Sequence, residues 1–116
     1  MKIFIYEKCD TCRKALKYLQ ERGINAEQVP IRETPPTVAE LKRMLNYVGD
    51  LKRLFNTSGL DYKALNMKDR LPKLSEPEAL ALLATNGNLV KRPFLLTKTG
   101  GTTGFKLDEW ERVSKQ

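Results

Sequence analysis

The sequence contains no histidine and only two cysteines among its 116 residues. Without histidine, the chain cannot build histidine-based triads, histidine proton shuttles or histidine metal sites. Any general acid or base must therefore come from aspartate, glutamate, lysine, tyrosine, cysteine or water. Two cysteines also argue against a framework of structural disulfides, and favour thiols that are free, metal-bound or redox-active.

Long apolar stretches are also absent, since no segment approaches the roughly 20 apolar residues of a membrane helix. The first ten residues, MKIFIYEKCD, contain an apolar run of strand length and none of the later parts of a signal peptide. We therefore expect a cytoplasmic protein with no membrane partner. A composition of 41% hydrophobic and 30% charged residues predicts one globular domain over residues 1–116.

The net charge of +7 is consistent either with a solvated basic surface or with an acidic partner. Such a partner would be an anionic substrate, an acidic protein or nucleic acid. The lysines and arginines are spread along the chain, and aromatic residues make up only 8% of it. Direct nucleic-acid binding is therefore not expected.

The first third of the chain predicts a β-α-β unit. A β-branched and aromatic run predicts a buried strand over residues 2–6, and helical spacing predicts a helix within 11–23. Residues 26–33 predict a second strand, in which Pro30 indicates an edge position or a bulge. This order favours a parallel strand pair joined by a right-handed crossover.

The middle of the chain, about residues 36–87, predicts a helical segment inserted between two halves of one sheet. Its first helix should end at Gly49. The apolar face of that helix is predicted to consist of Val38, Leu41, Leu45 and Val48. A later helix should begin at Ser75, which has the spacing of a capping box with Glu78.

The last third predicts a β-β-α unit. The segment KRPFLLT begins a strand at an arginine-proline bond, and the glycine- and threonine-rich KTGGTTGF turns into a second strand of a hairpin. The segment LDEWERVSK predicts a terminal helix, because its acidic residues come first and its lysine last.

The two cysteines lie in the segment CDTC, where a strand passes into a helix. Cys9 is at the junction and Cys12 lies three residues later in the first helical turn. A helix N-terminus offers free N–H groups and partial positive charge, which favour a thiolate, and Lys8 and Arg13 add charge of the same sign. We therefore expect Cys9 to be the attacking thiol and Cys12 the resolving thiol.

Other interpretations of the pair are two inert buried cysteines or a zinc site. A closed zinc site needs four ligands, and here carboxylates or a second subunit would have to supply two of them. The C-x-x-C spacing after a strand and at a helix start instead favours thioredoxin-like redox chemistry.

The arginine-proline bond at Arg92 and Pro93 is the second candidate feature. A proline that opens a strand can be a simple strand boundary. In a thioredoxin-like fold, however, a cis-proline faces the active cysteine and leaves nearby backbone groups open to an extended partner. Arg92 would then direct its guanidinium at the Cys9 pocket, where it would stabilise a thiolate or an oxyanion.

Over nearly its whole length the chain resembles the arsenate reductase/Spx family. The motifs that carry the resemblance are CDTCRKA, LFNTSGLDYKAL, KRPFLL and GFKLDEWE. The resemblance implies an α/β, thioredoxin-like (glutaredoxin-like) mixed sheet with an inserted helical segment. It also implies that Cys9 matches the nucleophile of the arsenate reductases and that Arg92 matches an arginine of their oxyanion site.

Those enzymes use two further arginines, which align near Asn56 and Lys106 in this chain. An amide there can still donate a hydrogen bond and an ammonium can still supply charge, but the guanidinium fork is lost. Arg53 is expected to lie near enough to substitute. The cysteine at position 12 is typical of the Spx branch, in which the pair is a thiol-disulfide switch.

The Spx branch also implies a partner, the C-terminal domain of the RNA polymerase α subunit. Gly49 aligns with a glycine at that contact, although it also fits a simple helix C-cap. After ERVSKQ the chain lacks the longer basic tail expected of Spx itself.

Together these observations predict a thiol-disulfide oxidoreductase with no bound cofactor and no metal, or alternatively a non-enzymatic redox-sensing regulator. The expected electron donor is glutathione or a glutaredoxin or thioredoxin protein. The predicted catalytic residues are Cys9, Cys12 and Arg92. The predicted substrate-binding residues are Lys8, Arg13, Asn56, Pro93 and Lys106.

Overall fold

A four-stranded mixed sheet lies at the centre of the computed structural model, which describes residues 1–115. The strands are β1 (Lys2–Ile5), β2 (Glu27–Pro30), β3 (Phe94–Leu96) and β4 (Gly101–Thr103). Their order across the sheet is β2-β1-β3-β4, with β1 and β2 parallel and the other neighbours antiparallel. Pro30 lies at the end of edge strand β2, which confirms the edge position predicted for it.

Helices complete the predicted order of β-α-β, helical segment and β-β-α. The α-helices in the described residues are α1 (Asp10–Glu21), α2 (Val38–Val48), α3 (Leu60–Ala64), α4 (Met67–Arg70), α5 (Glu76–Thr85) and α6 (Leu107–Ser114). Short 3₁₀ turns cover Leu51–Leu54, Leu71–Lys73 and Gly87–Leu89. The fold is the expected mixed α/β, thioredoxin-like one. Within residues 1–115, each helix is too short or too polar to cross a membrane.

The two faces of the sheet carry two separate layers of helices. Ile3 and its partner Leu95 point to one face, where they pack with α1 and α6 around the buried Trp110. Phe4 and its partner Phe94 point to the other face and pack against the helical segment, with their rings edge to face at 5.4 Å. This alternation follows from the two-residue period of a strand.

The buried face of α2 matches the predicted one except at Val38, because Leu45 and Val48 also pack against the core. Leu41 and Met44 are fully buried, whereas Val38 is 47% exposed. Val38 is the first residue of α2, so it lies at the helix end, outside the stripe that contacts the core.

The predicted start of α5 is confirmed, because Ser75 and Glu78 each accept a hydrogen bond from the other's backbone N–H.

Strand direction brings two distant segments of the chain together. Because β1 and β3 are antiparallel, the residues after β1 and the residues before β3 meet at the same edge of the sheet. The segment after the first 3₁₀ turn joins them there, since Phe55 forms an isolated antiparallel bridge with Val90. This arrangement places Cys9, Asn56 and Arg92 at the same end of the sheet.

Candidate active site

Cys9 is the N-cap residue of α1. Its backbone is extended, its N–H donates to the Tyr6 carbonyl at 3.1 Å, and its Sγ accepts the backbone N–H of Cys12 at 3.3 Å. The Cys9 sulfur therefore occupies the position of an N-cap oxygen and faces the positive end of the helix dipole. Cys9 is partly exposed, so the alternative of two buried cysteines does not describe this residue.

Cys12 lies one turn further on and is only 1% exposed. Burial raises the pKa of its thiol to about 12, and a hydrogen bond to the Cys9 side chain and the charge of Cys9 act in the same direction. A backbone hydrogen bond involving Tyr6 and the positive charge of Arg92 oppose this increase. Cys12 is therefore held as a neutral thiol directly behind the accessible sulfur.

Cys9 opens into a cleft of about 390 Å³. Three cationic side chains border it, which suits a site for an anion or a thiolate. The residues lining the cleft are Tyr6, Lys8, Cys9, Thr11, Asn56, Ser58, Gly59, Leu60, Lys91 and Arg92. The cationic members are Lys8, Lys91 and Arg92.

Arg92 precedes buried Pro93, and the bond between them is cis, which favours the thioredoxin-like alternative over a simple strand boundary. The guanidinium carbon lies 5.2 Å from the centre of the Tyr6 ring. Its Nη1 is buried and has no hydrogen-bond partner within the described residues. A buried guanidinium N–H without a partner is costly, so a donor in this position is suited to an acceptor brought by a ligand.

Asn56 reaches the cleft through backbone pairing. Its N–H donates to the Leu89 carbonyl at 2.7 Å, and the Lys91 N–H donates to the Leu54 carbonyl at 2.8 Å. These bonds hold the segment of Asn56 beside the segment that leads into Arg92, so Lys8, Asn56, Arg92 and Cys9 line one cleft.

Arg13 and Lys106 do not line this cleft. Arg13 is exposed and its Nη1 donates to Asp10 at 3.0 Å. Lys106 is exposed, lies 3.9 Å from Glu109 and borders a different cavity of about 470 Å³, which shares two lining residues with the Cys9 cleft. Their predicted role in substrate binding remains a prediction.

Arg53 does not replace the missing arginine at position 56. Its Nη2 donates to Glu109 at 2.8 Å and to the Thr103 carbonyl at 3.4 Å, and it lines the same cavity as Lys106. The expectation of a substitute was wrong because sequence proximity to Asn56 does not determine side-chain direction. Arg53 lies within the 3₁₀ turn Leu51–Leu54, whereas Asn56 lies in the extended segment that follows it.

Several residues at the cleft were not predicted from the sequence, above all Tyr6, Ser58 and Lys91. Tyr6 was assigned to the buried strand, although β1 ends at Ile5 and leaves Tyr6 at the edge that bears the site. Lys91 precedes Arg92 in the chain, and Ser58 lies two residues after Asn56. Their closeness to these predicted site residues is the sequence signal that could have identified them. Within residues 1–115, no group of three or more histidine, cysteine, aspartate or glutamate side chains could hold a metal ion.

Curated relatives share most of the chain's length. It is 48% identical to uncharacterized protein YusI of Bacillus subtilis, over 91% of each chain. It is 33% identical to an arsenate reductase of Neisseria meningitidis, over 97% of each chain. It is also 30% identical to the global transcriptional regulator Spx of Enterococcus faecalis, over 95% of this chain and 83% of the regulator.

A solved structure agrees with these relatives. A crystal structure described as a putative ArsC family related protein from Bacteroides fragilis is 44% identical and superposes with a TM-score of 0.91. The superposition covers 97% of this chain and 98% of that one. A family model described as the ArsC family matches residues 4–113. The fold, the relatives and the family model agree, and the chain belongs to the ArsC family.

Proposed function

We propose that this protein is a cytoplasmic thiol-disulfide oxidoreductase in which Cys9 attacks and Cys12 resolves. The observation that carries the proposal is the contrast between the two thiols. The Cys9 sulfur opens into a cationic cleft, whereas the Cys12 thiol is buried one helical turn behind it. This arrangement suits an accessible nucleophile that attacks the substrate and a second, protected thiol that resolves the mixed disulfide.

The proposed reaction has two steps with a disulfide substrate. The Cys9 thiolate forms a bond to one substrate sulfur, the substrate S–S bond breaks, and the other sulfur leaves as a thiolate. Cys12 then loses its proton and attacks the Cys9 sulfur, which releases the second substrate thiolate and leaves a Cys9–Cys12 disulfide. Two electrons have passed from the protein to the substrate.

The cleft supports the order of these steps. While Cys9 is anionic, its charge adds to the effect of burial and keeps the Cys12 proton in place. Once Cys9 is part of a mixed disulfide, that charge is gone and the pKa of Cys12 falls. Arg92 lowers the same pKa, so its guanidinium assists the second step. Lys8 and Asn56 would contact the substrate, and Pro93 would shape the groove.

The oxidised pair must be reduced again for turnover. Glutathione or a glutaredoxin or thioredoxin protein is the donor we propose, and it would supply two electrons as its own thiols become a disulfide. Arsenate is one candidate oxidant, because curated relatives are named arsenate reductases. Arsenate reduction to arsenite also takes two electrons, which the thiols would provide.

Thiol stoichiometry tests the proposal directly. The reduced protein is mixed with the uncharged reagent dithiodipyridine, and release of the chromophoric thiopyridone is followed. We expect two molecules of thiopyridone per chain, one from each step. Cys12→Ser should release one and leave a mixed disulfide on Cys9 that mass spectrometry detects. If Cys9→Ser still rapidly released one molecule of thiopyridone per chain, Cys12 would be reacting directly with the reagent. That result would overturn the assigned order.

A coupled assay tests arsenate as the substrate. Arsenate, glutathione and glutaredoxin are supplied together with excess reductant, and arsenite formation is measured. Turnover that disappears in Cys9→Ser supports arsenate reduction. Turnover unaffected by that substitution rules out Cys9 as the nucleophile. If the wild type forms no arsenite but still releases thiopyridone from dithiodipyridine, its substrates are disulfides and not arsenate.

A second candidate function is a non-enzymatic redox switch that binds the RNA polymerase α C-terminal domain. The favouring observations are similarity to a regulator named Spx and an exposed Gly49 in the left-handed conformation at the end of α2. Capture of the purified polymerase domain by one redox state and not the other would support it. No binding in either state would remove it.

A further inference from the structure

A second cavity adjoins the Cys9 cleft on the other side of Arg92. It measures about 210 Å³, and Cys9 is not among the residues that line it. The lining residues are Tyr6, Arg32, Asn56, Leu60, Asp61, Asn88 and Arg92. Tyr6, Asn56, Leu60 and Arg92 also line the Cys9 cleft, so the two spaces share a wall. A substrate attacked by Cys9 therefore lies next to the second cavity.

Tyr6 brings two guanidinium groups to this cavity. Arg32 Nη1 donates to the Tyr6 hydroxyl at 3.0 Å, and its Cζ lies 5.0 Å from the centre of the ring. The Arg92 Cζ lies 5.2 Å from the same ring. Contact with one ring therefore places two positive charges in the lining of one cavity, where an anion would be attracted to both.

The donors of this cavity are not saturated by the protein. Arg92 lines both spaces, and its buried Nη1 has no hydrogen-bond partner within residues 1–115. The one carboxylate in the lining, Asp61, accepts a hydrogen bond from Asn86 at 3.1 Å, and no ion pair within residues 1–115 joins it to Arg32 or Arg92. Two arginines and one aspartate leave the cavity with one net positive charge.

The backbone beneath Arg32 is fixed. The Ile31 N–H donates to the Ile5 carbonyl at 2.9 Å, which continues the alignment of β1 and β2. On the other side, Gly87 packs so closely that a Cβ there would lie 1.8 Å from the Ile31 carbonyl oxygen. A fixed backbone reduces the entropy lost when the Arg32 side chain binds a ligand.

We infer that Arg32 and Arg92 form a carboxylate-binding pocket that selects disulfide substrates carrying a carboxylate near the sulfur attacked by Cys9. The inference rests on the proposed thiol-disulfide function. A carboxylate fits because planar guanidinium groups bind it through paired hydrogen bonds. The anion held here is an appendage of the substrate and not the reacting centre, because Cys9 lines the neighbouring cleft and not this cavity.

Two small disulfides separate charge recognition from thiol chemistry. Dithiobis(nitrobenzoate) carries a carboxylate on each ring, whereas dithiodipyridine is uncharged near neutral pH. The rate of the first thiolate release is measured for each with the reduced full-length protein. The informative quantity is the ratio of the anionic to the neutral rate, relative to that of the wild type, because differences in leaving group then cancel.

Arg32→Gln is the test variant, and Arg22→Gln is its matched control. Arg22 also stacks on a tyrosine, with its Cζ 3.6 Å from the centre of the Tyr18 ring, and its loss changes the net charge equally. It follows α1, about 20 Å from Cys9 at a rise of roughly 1.5 Å per residue. Asp61→Asn removes the opposing carboxylate and should act in the opposite direction.

We expect Arg32→Gln to lower the ratio about fivefold, as loss of one partly exposed charge-assisted contact would. Arg22→Gln should stay within about twofold of the wild type, and Asp61→Asn should raise the ratio. An unchanged anionic-to-neutral rate ratio in Arg32→Gln, or an equal decrease of that ratio in Arg22→Gln, would overturn the proposed carboxylate-binding pocket. If the wild type reacts with neither disulfide, the proposed function fails and the pocket fails with it.

Discussion

Cys12 donates its backbone N–H to the Cys9 sulfur at 3.3 Å, while its own side chain is almost completely buried. The two cysteines of one short motif thus occupy different environments. One sulfur receives hydrogen bonding from the helix N-terminus and faces a cationic cleft. The other lies in the protein interior, where charge is disfavoured. The two thiols therefore differ in solvent access and hydrogen bonding, which the spacing alone does not reveal.

Alkylation should distinguish the two thiols. We expect iodoacetamide near neutral pH to modify Cys9 in the native reduced protein and to leave Cys12 unmodified, because only Cys9 opens into the cleft. Peptide mass spectrometry after quenching locates the adduct. Denatured protein is the control, in which both residues should react. Equal modification of both cysteines in the native state would contradict this prediction.

The raised pKa of Cys12 should make stability fall in alkali. The folded protein keeps the Cys12 proton up to about pH 12, whereas the unfolded chain releases it near the ordinary value of 9.0. The stabilising contribution is therefore complete below pH 9.0 and is lost as the pH rises towards about 12. Urea denaturation of the wild type and Cys12→Ala at several alkaline pH values should show a narrowing difference. A constant difference would contradict it.

The parts of this protein that follow from local sequence were predictable. Strand composition, the Ser75 capping box and the position of Cys9 at a helix start each depend on residues close together in the chain. The direction of Arg53 was not predictable, because it depends on Glu109, a partner 56 residues away. The same holds for Arg32 and Tyr6, which meet only after β2 pairs with β1.

Tyr6→Phe tests whether the Tyr6 hydroxyl positions Arg32. The substitution keeps the ring that both arginines contact and removes the oxygen that accepts from Arg32 Nη1. We expect the anionic-to-neutral rate ratio to fall about twofold to threefold, less than in Arg32→Gln, because the cation–π contact persists. Tyr47→Phe is the control, since Arg43 lies 6.0 Å from that ring on α2. A full loss equal to that of Arg32→Gln, or none at all, would contradict a positioning role.

Glu109 should make stability decrease in acid. Partial burial acts to raise its pKa, but hydrogen bonds from Arg53 and Thr102 and the charges of Arg53 and Lys106 together lower it. A lowered folded pKa gives stability that is present above the ordinary, unfolded value of 4.5 and is lost as the pH falls through the folded value. We expect Glu109→Gln to cost about 1 kcal/mol near neutral pH.

That cost should shrink as the pH falls, because the wild-type carboxylate is then protonated as well. Urea denaturation at neutral and acidic pH measures both values. Glu111→Gln is the control, as Glu111 is exposed on the same helix and its replacement should change stability little. A cost for Glu109→Gln that is the same at both pH values would show that the carboxylate charge contributes nothing.

Gly87→Ala should destabilise the protein through a direct clash with backbone. The added Cβ would lie 1.8 Å from the Ile31 carbonyl oxygen, so the 3₁₀ turn and the segment bearing Arg32 must separate. We expect a loss of about 2 to 3 kcal/mol in urea denaturation, as for overpacked interiors. Gly49→Ala is the control, because Gly49 has a φ of 75° and open space around it, and should cost only about 1 kcal/mol of backbone strain. Equal losses at the two positions would mean that the turn yields to the added methyl group.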